Sequence, residues 1–208
     1  MLVTGIKSKP VYAPLRADPR GRYHLMLGLG VGEVALLRVL REMQESALEG
    51  LARTRVLLLP APAVGDASAA EARREIERLP LQEMRAFPDV PSLLGEFKSV
   101  LVDSLMGTRL YVAGPESFIG LAMKVALEFN LNKDEIRAEE LGTQARRVYC
   151  IHCRATTENV RTNIVRCLGC ERWLLVRDHY SRRLAAYMGV MVDAEAPGAL
   201  PPIKEVFV

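Results

Sequence analysis

The 208-residue sequence lacks the features that mark membrane and secreted proteins. No apolar run approaches the roughly 20 residues that span a bilayer, because the run from Leu25 to Leu40 is broken by glycines and by charged side chains. The first ten residues contain no apolar core of the kind that a secretory signal requires. We therefore expect a cytoplasmic protein that has no membrane partner.

An excess of charge of one sign is also missing, and aromatic residues are few. The 28 Lys and Arg residues against 25 Asp and Glu leave a formal net charge of +3, and 6% of the residues are aromatic. Such a balance does not predict nucleic acid as the principal partner. With 50% hydrophobic and 25% charged residues, the chain is typical of a globular protein, and its length favours a main domain followed by a small one.

No motif places a catalytic site. The sequence contains no recognisable Ser, His and Asp grouping, no His-x-x-His pair and no carboxylate pair, and its three histidines are scattered along the chain. We therefore assign no catalytic residue and expect a non-catalytic chain.

All four cysteines fall in one short stretch, as two Cys-x-x-Cys knuckles formed by Cys150 with Cys153 and Cys167 with Cys170. Disulfides are rare in a reducing compartment, whereas four thiolates at this spacing suit a tetrahedral structural Zn²⁺. The segments 159–165 and 172–176 have the composition of hairpin strands. We predict a zinc ribbon over residues 143–190, and expect His152 to lie outside the ligand set because four cysteines complete it.

Two alternatives to structural zinc remain for these cysteines. A single iron, as in rubredoxin, uses the same ligands, but rubredoxin knuckles usually carry small residues where this chain has Arg154 and Glu171. A redox dithiol would need only one Cys-x-x-Cys.

The predicted ribbon is rich in arginine. It carries nine arginines against the acids Glu158, Glu171 and Asp178. A basic zinc ribbon can bind nucleic acid, but arginine also offsets the charge of four thiolates and is common in protein interfaces. We rank a protein partner above nucleic acid. The arginines are Arg146, Arg147, Arg154, Arg161, Arg166, Arg172, Arg177, Arg182 and Arg183.

The first two thirds of the chain alternate between strand and helix patterns. The alternation predicts an α/β fold, with a Rossmann-like parallel sheet domain over residues 23–142. Residues 1–22 hold several prolines and are expected to form an extended arm. The predicted strands are 23–27, 55–59, 81–87, 110–113 and 136–141, and the predicted helices are one following the first glycine turn and those at 69–79, 91–105 and 116–130.

The loops of this domain resemble a known family. The segments 27–32, 110–119 and 134–140 are similar to the nicotinamide-binding domain of ferredoxin-NADP reductase type flavoenzymes. That family usually has Thr-Pro where this chain has Gly32-Glu33, and a cysteine where it has Ala113. Where the family often places a Ser or Arg on the adenosine ribose or its phosphate, this chain reads 60–65 as Pro-Ala-Pro-Ala-Val-Gly.

These departures imply a degenerate nucleotide site. The Glu33 carboxylate would occupy the field of a helix N-terminus and repel a diphosphate. We therefore expect that the chain does not bind NAD(P)H. The residues of the degenerate loops are Gly28, Gly30, Gly32, Gly114 and Pro115.

A second resemblance covers both domains in order. Residues 150–190, above all 162–170 followed by 173–183, look like the C-terminal part of the small DmmA-type subunit of bacterial dimethylamine monooxygenase. The resemblance implies an accessory subunit, structural or for assembly, of a multi-subunit, NADPH-dependent, haem-containing enzyme that oxidatively demethylates dimethylamine. The redox cofactors would then lie on companion subunits.

Two other functions stay open at this point. One is an electron-transfer subunit with a rubredoxin-like iron or a nicotinamide site, and the other is a nucleic-acid-binding zinc ribbon. The tail, residues 191–208, is interrupted by prolines yet ends in apolar residues. We expect its apolar end to pack on a protein surface, which either the chain's own sheet or a companion subunit could provide.

Overall fold

The computed structural model describes residues 8–46, 50–60 and 67–208, which form two compact units. The sheet unit comprises residues 12–142. The four-cysteine unit comprises residues 143–208 together with 8–11. In the described ranges, no helix is long and apolar enough to cross a membrane.

The sheet unit has the predicted Rossmann-like architecture. Its five parallel strands lie in the order β3-β2-β1-β4-β5, so the strand order reverses between β1 and β4. The strands are β1 (Tyr23–Leu29), β2 (Thr54–Leu59), β3 (Glu83–Ala86), β4 (Thr108–Gly114) and β5 (Ile136–Glu140). The helices are α1 (Gly32–Glu45), α2 (Ala67–Ile76), α3 (Val90–Val102) and α4 (Glu116–Glu128), with 3-10 turns at Leu51–Arg53 and Lys133–Glu135.

The sequence of β1 explains why it lies in the middle of this sheet. Its residues are almost all buried, and alternate side chains enter opposite cores. Met26 packs with α1 and α2 on one face, whereas Leu25 and Leu27 pack with α3 and α4 on the other. A strand that is buried on both faces is expected where helices cover both sides of a parallel sheet.

Residues 12–22 are bound tightly to the sheet unit. Leu15 is buried, and its backbone N–H donates to the Glu139 carboxylate at 2.6 Å. The Asp18 carboxylate accepts hydrogen bonds from Arg20, Arg109 and Arg137 at 2.9–3.1 Å. Residues 1–7 of the expected arm lie outside the described ranges. The described part from residue 12 onward is held to β4 and β5 by these hydrogen bonds.

The four-cysteine unit is a mixed five-stranded sheet in the order β7-β6-β10-β9-β8. The β6–β7 and β8–β9 pairs are antiparallel hairpins, and β10 lies between them, antiparallel to β9 and parallel to β6. The strands are β6 (Arg146–Cys150), β7 (Thr156–Val160), β8 (Ile164–Arg166), β9 (Trp173–Ser181) and β10 (Ala186–Met191).

The prediction of one strand over residues 159–165 is wrong, because this segment contains the end of β7 and the beginning of β8. Asn159 has a φ of 55°, and the Thr162 hydroxyl donates to the Ile164 carbonyl at 2.7 Å. Such a local side-chain bond competes with a strand ladder. The other predicted hairpin strand, 172–176, corresponds to the longer β9.

The tail lies along its own unit. The backbone N–H groups of Val206 and Phe207 both donate to the Arg161 carbonyl at 2.9 Å. The Phe207 ring packs on the Arg146 guanidinium at 3.8 Å, and Tyr187 packs on the same guanidinium at 3.9 Å. Of the two surfaces that the sequence left open for the tail, the structure therefore places it on the chain's own four-cysteine unit.

Candidate metal centre and nucleotide crevice

The turns of the two hairpins each carry one cysteine knuckle, and the two knuckles have the same backbone framework. In each, the carbonyl of the first cysteine accepts the N–H of the residue four positions later. The N–H of that cysteine donates to the carbonyl five positions later, and all four distances are 2.9–3.0 Å. The repeated turn presents both cysteine pairs in the same way.

The residue after the second cysteine of each knuckle has a left-handed backbone conformation. Arg154 has a φ of 67° and Glu171 a φ of 60°. This conformation is costly for a residue with a Cβ and is the usual place of glycine. The turn geometry therefore gives a backbone reason to expect a small residue here, independent of the metal.

The four sulfurs lie together. All four Sγ atoms are within 4.8 Å of one another, with 3.7 Å between Cys150 and Cys170 and 3.5 Å between Cys153 and Cys167. Four thiolates at about 2.3 Å from a tetrahedral ion have sulfur atoms roughly 3.8 Å apart. The donor set therefore fits a metal held by four thiolates, and His152 is not part of this cluster.

The surroundings act in opposite directions on two of the sulfurs. A backbone hydrogen bond from Ala155 opposes the shift, but desolvation and the neighbouring thiols raise the pKa of Cys153 to about 11. Hydrogen bonds from the backbone and side chain of Arg172 lower the pKa of Cys170 to about 6. The Gly169 N–H donates to Cys167 Sγ at 3.4 Å. The hydrogen-bond donors of Arg172 thus stabilise the charged form of Cys170. Cys150 and Cys167 are buried, whereas Cys153 is exposed.

Gly169 is a site residue that the sequence reasoning missed. A Cβ at this position would lie 2.9 Å from Cys153 Sγ and 2.8 Å from the Ala155 side chain. Only glycine fits this close approach. Its position between Cys167 and Cys170 is the feature of the sequence that could have indicated this role.

The second candidate site is the crevice at the carboxyl ends of β1 and β4, where α/β sheets of this kind bind ligands. Of the predicted loop glycines, Gly28 lies within β1 and faces Leu36 and Leu58, and the others lie at or just after the strand ends. Gly30 has a φ of 54°, and a Cβ on Gly32 would lie 2.1 Å from the Ala113 carbonyl oxygen. Gly114 has a φ of 153° and packs against Leu29. These glycines therefore have packing roles of their own.

Glu33 lies at the beginning of α1 and has no exposed surface. Burial raises the pKa of its carboxyl, while Arg73 opposes this shift. The Arg73 guanidinium, on α2, donates to both carboxylate oxygens, at 2.9 and 3.0 Å. Sequence reasoning placed Glu33 here but missed Arg73, because α2 carries several arginines and the pattern does not show which one faces α1. Residues 61–65 of the expected adenosine loop lie outside the described ranges.

Two solved structures are similar to part of this chain, at low sequence identity and low TM-score. One is the FAD/NAD binding domain of a nitric oxide dioxygenase from Vibrio cholerae O1 biovar El Tor, at 16% identity and a TM-score of 0.41, covering 58% of this chain and 52% of that one. Another is the C-terminal domain of a hydrogenase from Pyrococcus furiosus, at 14% identity and a TM-score of 0.42, covering 64% and 99%.

A curated relative is more similar in sequence. It is the heme-dependent oxidative N-demethylase delta subunit of Ectopseudomonas mendocina (strain ymp), 34% identical over 111 residues. The matched region is 53% of this chain and 63% of the relative. The match thus spans less than two thirds of that relative's length.

Two family models match the chain in order. The model described as dimethylamine monooxygenase subunit DmmA-like, N-terminal domain, matches residues 4–136. The corresponding C-terminal domain model matches residues 147–190. The resemblance that the sequence suggested is confirmed: the chain belongs to the DmmA-like family of dimethylamine monooxygenase subunits.

Proposed function

We propose that this chain is an accessory, non-catalytic subunit of a multi-subunit, NADPH-dependent, haem-containing dimethylamine monooxygenase. The observation that carries the proposal is the match of both domains to the DmmA-like family. The relative named as a delta subunit of a heme-dependent oxidative N-demethylase supports it. The complex would act in cytoplasmic methylamine metabolism, with its haem and nicotinamide chemistry on companion subunits.

We further propose that Cys150, Cys153, Cys167 and Cys170 hold one Zn²⁺. Bound zinc would cross-link the β6–β7 hairpin to the β8–β9 hairpin and, having a filled d-shell, would not carry electrons. Such a cross-link would stabilise a unit whose own core is small. Among the described residues, this core has eight buried residues, two of which are ligand cysteines, whereas each face of the larger sheet has fifteen.

An electron-transfer subunit with a rubredoxin-like iron is the second candidate. The exposure of Cys153 favours it, because a redox centre needs a ligand that approaches the partner's surface. Elemental analysis and a visible spectrum of the purified chain separate the two. Stoichiometric zinc without visible absorption is expected, whereas stoichiometric iron with a reversible visible band would place the chain in the electron path.

The basic side chains of the four-cysteine unit favour a protein partner over nucleic acid. All three acids between residues 146 and 183 pair with arginines of the same unit, so part of the basic charge is used internally. The pairs are Arg146 with Asp178 at 2.7 Å, Arg147 with Glu158 at 2.8 Å and Arg166 with Glu171 at 2.8 Å. Salt-dependent binding to DNA or RNA would support the nucleic-acid alternative.

Co-expression with the companion subunits tests the accessory role. We expect that affinity purification through this chain brings down a haem-containing complex that demethylates dimethylamine with NADPH. Omitting this chain should reduce the yield or activity of the complex without removing haem from its own subunit. A fully active complex that never retains this chain would contradict the proposal.

A further inference from the structure

Glu33 carries a buried carboxylate on the helix whose N-terminus would face a phosphate in a nucleotide-binding domain of this architecture. It lies in the first turn of α1, at the edge where the strand order reverses. Backbone N–H groups and the helix dipole make such a helix N-terminus attractive to an anion. A buried carboxylate is costly unless it is paired, and Arg73 pairs with both of its oxygens. The anion and its cationic clamp therefore both come from the chain itself.

Gly32 allows close packing of α1 on β4 at this edge. The beginning of α1 lies directly against the end of β4, since a Cβ on Gly32 would approach the Ala113 carbonyl oxygen to 2.1 Å. Gly32 is therefore required by this packing, whether or not a phosphate lies nearby.

The segment that follows β5 also covers this edge. The Leu141 N–H donates to the Gly114 carbonyl at 2.9 Å. Gly142, with a φ of 89°, lies where a Cβ would be 3.4 Å from the Val31 side chain and 3.7 Å from Pro115. The chain thus crosses from the β4 loop to the β1 loop, over the place where the two loops would hold a nucleotide.

We propose that Glu33, paired with Arg73, is an internal anion that takes the place of a bound phosphate. The crevice between the β1 and β4 loops is then closed to a nucleotide. The glycine loops then serve the packing of α1 against β4. The chain then binds no NAD(P)H. This inference depends on the described residues of the sheet unit alone, so it stands or falls independently of the proposed demethylase role.

Titration calorimetry of the full chain with NADPH, NADH and inorganic pyrophosphate gives the first test. We expect no binding up to millimolar concentration. Micromolar NADPH binding that is abolished by Gly30→Leu would overturn the proposal, because it would show an open glycine loop in use.

Chemical rescue tests the internal anion directly. Glu33→Ala leaves the Arg73 guanidinium facing an empty anion position, so formate or phosphate should raise its Tm relative to chloride at equal ionic strength. The same salts should have a smaller effect on the wild type and on Glu33→Ala/Arg73→Ala, which lacks the cation. Equal Tm changes in all three proteins would refute an anion position at Glu33.

A double-mutant cycle covers the case in which Glu33→Ala fails to fold. Glu33→Gln removes the negative charge and keeps the side-chain shape, and Arg73→Gln replaces the cation by a shorter neutral side chain. We expect each single variant to lower Tm, and the double variant to lose less than the two losses added together. Additive losses would show that the two side chains are not coupled, which contradicts the proposal.

Discussion

The glycine loops of the sheet unit and the cysteine knuckles of the four-cysteine unit both have sequences typical of a ligand site, but only the knuckles need a ligand to explain their structure. In the sheet unit, Gly32 has a packing partner and Glu33 has an internal cation. In the four-cysteine unit, four thiols converge and no internal cross-link joins them. A glycine-rich turn has two physical explanations, packing and phosphate binding, whereas four convergent thiols have chiefly one.

Removing a cysteine should produce the largest effect on stability, and it is the most direct test of whether only the four-cysteine unit needs a ligand. We expect Cys150→Ala to lose the metal and to unfold the four-cysteine unit, because structural zinc contributes on the order of 10 kcal/mol to folding of small zinc domains. The sheet unit, which has its own core, should stay folded. Metal analysis with two-dimensional NMR of the full chain measures both effects.

The matched control is His152→Ala, which removes a side chain of the same knuckle that is not a ligand. It should keep the metal and the native spectrum. A well-folded, metal-free four-cysteine unit in Cys150→Ala would show that its core suffices alone.

Asp18 provides the corresponding test for the sheet unit, because its carboxylate pairs with three arginines. Burial opposes ionisation of Asp18, but hydrogen bonds and charges from Arg20 and Arg137 hold the pKa of this carboxyl well below its usual range. Asp18→Asn leaves a buried site facing three arginines, and we expect a loss of about 4 kcal/mol in the free energy of unfolding. Urea unfolding measures it. Asp103→Asn, at an exposed position, should change stability little.

A pH titration should separate His24 from Asp18 in the same unit. Burial lowers the pKa of His24 from 6.5 to about 4. Between these values the unfolded chain binds the proton and the folded chain does not, so stability should rise with pH across this window and be lost as pH falls through it. The loss is about 3 kcal/mol for such a shift.

His24→Gln should flatten the stability profile in that window and leave the acid limb, below the ordinary pKa of an aspartate, to groups such as Asp18. Urea unfolding at several pH values provides the data. An unchanged slope in His24→Gln would mean that another group titrates there.

The features that the sequence predicted depend on local pattern, and those that it missed depend on distant contacts. Strands such as β1 and β4 were predicted because buried apolar runs between turn residues have few other interpretations. The hydrogen bond from Leu15 to Glu139 joins residues far apart in sequence, so no periodicity of the sequence predicts it. The insertion of β10 between β6 and β9 was missed for the same reason, and the choice of Arg73 among the arginines of α2 needed the packing of two helices.

The smallest expected effect concerns the knuckle turns and sharpens the claim that their geometry is set by the backbone as well as by the metal. Arg154 adopts a left-handed conformation that costs an ordinary residue about 1 kcal/mol relative to glycine. Arg154→Gly should therefore stabilise the metal-loaded four-cysteine unit by up to about that amount, since glycine adopts this φ without strain. Thr156→Gly, in the extended strand β7, is the matched control and should destabilise the unit instead. Thermal unfolding of the metal-loaded chain measures both variants. Destabilisation by Arg154→Gly would mean that the arginine side chain contributes contacts worth more than the backbone strain, which would contradict the expectation that strain dominates at this position.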